Sequence, residues 1–202
     1  MILALCHNAR RSLILLSTVL AICTAAHAAT PVAIWPLDPV IEDGKSASAL
    51  WLENRGTQPM TIQIRALAWE QKEGTENYHA QSRLIASPPF AVIPAGQKQL
   101  IRLTSLVPPL AGEQKAYRLL IDELPAVPGA GSGNGSAMGV QLQMRYSVPL
   151  FVNGKGIVQH KDGQDPLLAT QPELAWHIVK KEDKRYLAIR NTGAVDARLT
   201  DV

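Results

Sequence analysis

Five histidines and two cysteines are the residues of this 202-residue chain best suited to hold a metal or attack a substrate, and their spacing opposes both roles. His7, His27, Cys6 and Cys23 fall within the first 28 residues, and His79, His160 and His177 stand far apart with no local ligand spacing. No Gly-x-Ser-x-Gly elbow accompanies the serines. Glu42-Asp43 and Glu182-Asp183 lead into Gly44 and Lys184 and read as solvated turn charges. Catalysis, a metal site and a cofactor are therefore not expected.

The residue pattern that carries chemistry is a strand. Val140, Leu142, Met144, Tyr146 and Val148 alternate with Gln141, Gln143, Arg145 and Ser147, which puts five large apolar side chains on one face. This run is long for a strand of a small sandwich, and it follows a Gly/Ser/Pro/Ala/Asn-rich stretch between Pro125 and Ser136 that has little to pack. Two readings stay open on these residues alone. One is an ordinary core strand. The other is a strand offered to a partner's sheet edge, with backbone hydrogen bonds for affinity and alternating side chains for register.

The elements around this strand begin with a leader. Arg10 and Arg11 precede an apolar run over residues 13–21, and Ala26-His27-Ala28 supplies the small residues that a signal peptidase reads. The run is too short for a membrane span, so no stable membrane insertion is expected after cleavage near Ala28. Both cysteines leave with it, so an exported chain must be held together by its core alone. Cleavage also lowers the formal charge of +3 by the two units of Arg10 and Arg11, which leaves no electrostatic footprint for nucleic acid.

The mature sequence reads as short alternating strands broken by Gly, Pro, Asn and Asp. Strand patterns cover residues 32–35, 50–53, 60–65, 90–93, 100–103, 117–124 and 140–152. About seven strands in one domain of this length predict an all-β fold of the immunoglobulin-like sandwich type. Trp35, Trp51, Trp69 and Trp176 read as core or cleft lining rather than a sugar platform.

Leu50-x-Leu52-x-Asn54-x-Gly56 recurs as Leu187-x-Ile189-x-Asn191-x-Gly193, a strand running into a turn. Leu174, Trp176 and Ile178 alternate ahead of the second copy. A second sandwich is thus expected to begin near Pro166 and to show only its opening strands before Val202. The predicted organisation is a signal peptide over 1–28, an immunoglobulin-like domain over 29–154, a linker over 155–165 and a partial, incomplete β-domain over 166–202.

Ile34-Trp35-Pro36, Ser87-Pro88-Pro89-Phe90 with Pro94-Ala95-Gly96, the stretch 119–125 ending Asp122-Glu123-Leu124-Pro125, and the strand over 140–152 occur in one order. With them the chain resembles the periplasmic chaperones of the chaperone–usher pilus pathway, which have a PapD-like fold. The resemblance implies two immunoglobulin-like domains. It also implies a donor strand built on Val140, Leu142, Met144, Tyr146 and Val148, and two partners, a pilin or fimbrial subunit and an outer-membrane usher.

The common branch of that family anchors the subunit's terminal carboxylate on an Arg and a Lys, whose positions here hold Val32 and Pro149. This, with the long segment over 67–81, makes the chain look like the divergent, archaic branch. The resemblance then nominates Arg102 as the anchoring cation, followed by Arg145 and Arg118. An interdomain salt bridge between Arg102 and Glu123 is the alternative role for the first. Two other functions stay open on the sequence: an exported immunoglobulin-like adhesion or structural module, and a shortened, inactive chaperone.

Overall fold

The structure is a computed structural model that describes residues 32–125, 143–158, 165 and 168–199. The expected leader, the Gly-rich stretch, Val140 and Leu142 lie outside the described residues. Twelve strands and no helix are found among those described: β1 Val32–Trp35, β2 Val40–Ile41, β3 Ala47–Asn54, β4 Met60–Lys72, β5 Thr75–His79 and β6 Leu84–Ser87, then β7 Phe90–Ile93, β8 Lys98–Ser105, β9 Gln114–Leu124, β10 Arg145–Asn153, β11 Leu174–Lys181 and β12 Lys184–Asn191.

The first ten form two facing sheets. One has four strands in the order β1-β3-β8-β6; the other runs β2-β10-β9-β4-β5, with β7 also pairing β4. All pairs are antiparallel except β10 with β2, which is parallel and covers only Phe151 and Val152. The alternation read from the sequence fixes which face of each strand turns inward. Leu50 and Leu52, Ile62 and Ile64, Ile101 and Leu103, Leu119 and Ile121, and Val148 and Leu150 interdigitate between the sheets. The fold is an immunoglobulin-like sandwich, as the pattern predicted.

Three strands escape the sequence pattern. β5 is short and mostly polar, β6 is four residues with Leu84 and Ile85 adjacent, and β2 is two residues long, so none displays a run of apolar–polar alternation. The segment over 67–81 continues β4 to Lys72, turns at Glu73-Gly74 in left-handed backbone, and returns as β5. Of the two places expected for the tryptophans, core or cleft lining, the core is not taken: none belongs to the core cluster. Trp35 and Trp51 stack at 6.4 Å on the outer face of the four-stranded sheet, with Lys98 over the Trp35 ring.

The repeated Asn-x-Gly is a shared piece of chemistry. Asn54 is fully buried; its Nδ2 donates to the Gln58 and Ile93 carbonyls while its Oδ1 accepts from the Gly56 N–H. Asn191 makes the same corner, with Nδ2 donating to the Val195 carbonyl and Oδ1 accepting from the Gly193 N–H. Each asparagine ends its strand, and each stands opposite the first residue of the preceding partner strand, Val32 for Asn54 and Leu174 for Asn191. The β11–β12 hairpin leaves Leu174, Trp176, Ile178, Leu187 and Ile189 exposed.

Candidate donor strand and its surroundings

β10 is built on a single apolar face. Tyr146, Val148, Leu150 and Val152 share one side, and the last three are part of the core. Met144 has the same parity and stands one position before the strand, yet it is 41% exposed where Val148 is 4% exposed. The apolar face therefore runs out past the host's own core. Tyr146 marks the transition: its ring packs against the core. Burial pushes its phenol up, and the Glu123 charge adds to that. The Tyr146 hydroxyl and Glu123 Oε2 are both buried without a hydrogen-bond partner among the described residues.

The strand has one covered and one open edge. β9 pairs it from Arg145 to Asn153. On the other side β2 reaches only Phe151 and Val152, so among the described residues no strand covers that edge over 145–149. Backbone direction alternates along an antiparallel ladder. The Met144 carbonyl accepts from Glu123 on β9, whereas the Phe151 N–H donates away from β9 to the Pro39 carbonyl. Odd-numbered residues thus aim at the open edge. It offers the N–H and C=O of Arg145 and Ser147 and the C=O of Pro149. Pro149, opposite Arg118, has no N–H to give there, and because that edge is open no ladder bond is lost.

The three candidate arginines lie in different settings. Arg102, on β8, is exposed on the outer face of the four-stranded sheet beside Ala49 and Ser87, and has no ion-pair partner among the described residues. Glu123 is on β9 in the other sheet, so the structure does not bring the proposed Arg102–Glu123 bridge together. Arg118, on β9, lies 3.9 Å from the Trp69 ring centroid and pairs with Glu76 at 3.3 Å. A hydrogen bond from Tyr78 and the charge of Arg118 hold the Glu76 carboxyl below the usual range. Arg145, at the root of β10, donates from Nε to Asp122. Val32 is buried in the core at the head of β1.

Sequence reasoning missed the partner of that last arginine. The Asp122 carboxylate also accepts from Arg65 Nη2 at 2.8 Å, so one acid holds two guanidinium groups from different strands. Burial alone would raise this acid, but the hydrogen bonds from Arg145 and Arg65 outweigh it and hold the carboxyl below its ordinary value. Only the place of Arg145 on the polar face of its strand was visible beforehand. Their meeting depends on register between strands far apart in sequence. Among the described residues no cluster of His, Cys, Asp and Glu could hold a metal ion.

Comparison with known proteins completes the assignment. The family model for the pili and flagellar-assembly chaperone, PapD N-terminal domain, matches residues 38–158, more than half of the chain. The chain is similar to the chaperone CsuC, solved in a pre-assembly complex with the tip adhesion subunit CsuE from archaic chaperone–usher Csu pili of Acinetobacter baumannii. It shares 36% identity with that structure at a TM-score of 0.64, over 81% of this chain and 72% of that one. The class 5 fimbriae chaperone CfaA shares the fold at 15% identity and a TM-score of 0.53, over 81% of this chain and 68% of that one. SafB of Salmonella enterica, solved with the pilin SafA, does so at 12% identity and a TM-score of 0.53, over 80% of this chain and 69% of that one. No curated protein matches the chain. The similarity to an archaic chaperone agrees with the divergent branch expected from Val32 and Pro149, and the chain belongs to the PapD-like family of chaperones that assemble pili by the chaperone–usher pathway.

Proposed function

We propose that this chain binds pilus subunits in the periplasm by donor-strand complementation and passes them to an outer-membrane usher. The strand over residues 140–148 would be the element it donates. The observation that carries this reading is β10 itself, whose open edge over 145–149 lies beside an apolar face that continues beyond the core to Met144. A subunit sheet lacking one strand would pair with the backbone groups of Arg145 and Ser147 and receive Val140, Leu142 and Met144 in its groove. Burial of three such side chains contributes roughly 5–9 kcal/mol before ordering and docking costs. That stabilises an aggregation-prone subunit without ATP or a catalytic group.

Relatives solved with a tip adhesion subunit and with a pilin support the choice of partner. The open edge also favours this reading over an adhesion module, which would keep the strand paired within its own sheet. The leader over 1–28 is proposed to direct the chain to the periplasm. For the subunit carboxylate, Arg102 has its five donors uncommitted among the described residues, whereas Arg145 and Arg118 each already hold a carboxylate of this chain. A pull-down of the tagged mature protein from native periplasm tests the function. Small subunits in one-to-one complexes are expected, and recovery of the chaperone alone would refute it.

A further inference from the structure

β9 grips the root of β10 twice. The Glu123 N–H donates to the Met144 carbonyl at 3.0 Å, one position before β10 begins. One residue away, the Asp122 carboxylate accepts from Arg145 Nε, directly opposite it in register. The second oxygen of Asp122 accepts from Arg65 Nη2, so this one carboxylate ties together β4, β9 and β10. The side chain of Asp122 is only 11% exposed, against 43% for Arg65 and 62% for Arg145. An acid so enclosed requires charged donors, and two guanidinium groups leave it little rotational freedom.

From this geometry we infer that Asp122 is a positioning residue for strand donation. It holds Arg145 on the polar face and so fixes Met144 on the apolar face, because a slip of one residue would exchange the two. It also keeps the root extended before a subunit arrives, which lowers the ordering cost that binding would otherwise carry. Arg65 acts behind it by holding the carboxylate in place from β4. This role rests on the donor-strand reading of residues 140–148.

Hydrogen exchange of the intact mature protein tests it at a single amide. In Asp122→Asn the Glu123 N–H is expected to exchange about fivefold faster, while the Leu119 and Ile121 amides keep their wild-type rates. Arg145→Gln, which leaves the Arg65–Asp122 pair in place, is expected to do the same and serves if the first variant fails to fold. Capture of the subunit that the wild-type chain binds should weaken about tenfold in both, with partial recovery in Arg145→Lys. Unchanged Glu123 exchange, or equal acceleration along all of β9, would overturn the positioning role. Leu142→Glu in the same capture assay separates the two levels. Loss of capture there with normal capture by Asp122→Asn refutes only the clamp, whereas normal capture by Leu142→Glu refutes strand donation itself.

Discussion

Met144 and Val148 lie on the same face of one run of chain, and the first is exposed while the second is buried among the core residues of the sandwich. Four positions separate them, so they are neighbours but one along that face. The apolar pattern is continuous, and the host's core is not. The Met144 side chain therefore projects beyond the core, next to a backbone edge that no described strand covers. This relationship distinguishes β10 from β9, which has strands on both sides from Tyr117 to Asp122.

Replacing Leu142 by Glu puts a charge where an apolar groove is expected, and an unpaired buried charge costs more than the side chain it replaces contributes. Subunit capture in the periplasm is predicted to fall below detection, while the thermal transition of the free chaperone stays at the wild-type temperature. Wild-type yields of the complex would contradict the role given to this strand.

Arg102→Ala is predicted to leave the fold intact, because the side chain is exposed and makes no ion pair among the described residues. Capture of subunits should nonetheless be lost if this guanidinium holds their terminal carboxylate. Circular dichroism and co-purification check the two halves separately. Normal co-purification would pass the anchoring role to Arg145 or Arg118.

Much of this was legible in the sequence, for a physical reason. Alternation is a local property, so Leu50 and Leu52, Ile62 and Ile64, and Leu119 and Ile121 announced their strands and inward faces without knowledge of the partner strands. The Asn-x-Gly copies were equally local, and their hydrogen bonds match. Register was not local. The meeting of Arg65, Asp122 and Arg145 joins three strands distant in sequence, and the separation of Arg102 from Glu123 reflects which sheet each strand enters. β5 stayed hidden because its side chains are mostly exposed on both faces and carry no period.

Asn54 tests the core directly. Its side chain is fully buried and bonds two carbonyls and one N–H, so Asn54→Ala removes three hydrogen bonds to the backbone. A loss of about 2–4 kcal/mol in urea unfolding is expected. Asn54→Asp keeps the acceptor and loses both donors, and should be destabilised as well, since it buries a charge. A loss of a few tenths of a kcal/mol in the Ala variant would show that the corner is dispensable.

Asp122 sets a pH dependence. Its folded pKa lies below the unfolded value, so it contributes stability that is fully present above about pH 4 and is lost as pH falls through the folded value. The stability gap between wild type and Asp122→Asn should therefore be full near neutrality and close on acidification below about pH 4. Chemical unfolding of both proteins across that range measures it. A gap that stays constant, or widens in acid, would mean the carboxylate is not stabilised by Arg145 and Arg65.

Amide exchange at Ser147 in the free chaperone and in its complex with a captured subunit addresses strand donation most directly. Its N–H faces the open edge of β10, where a complementing subunit strand must accept it. Strong protection of the Ser147 and Arg145 amides on complex formation, with little change at Val148 and Leu150, which already face β9, is the predicted result. A stable complex in which the Ser147 amide exchanges as fast as in the free protein would contradict it.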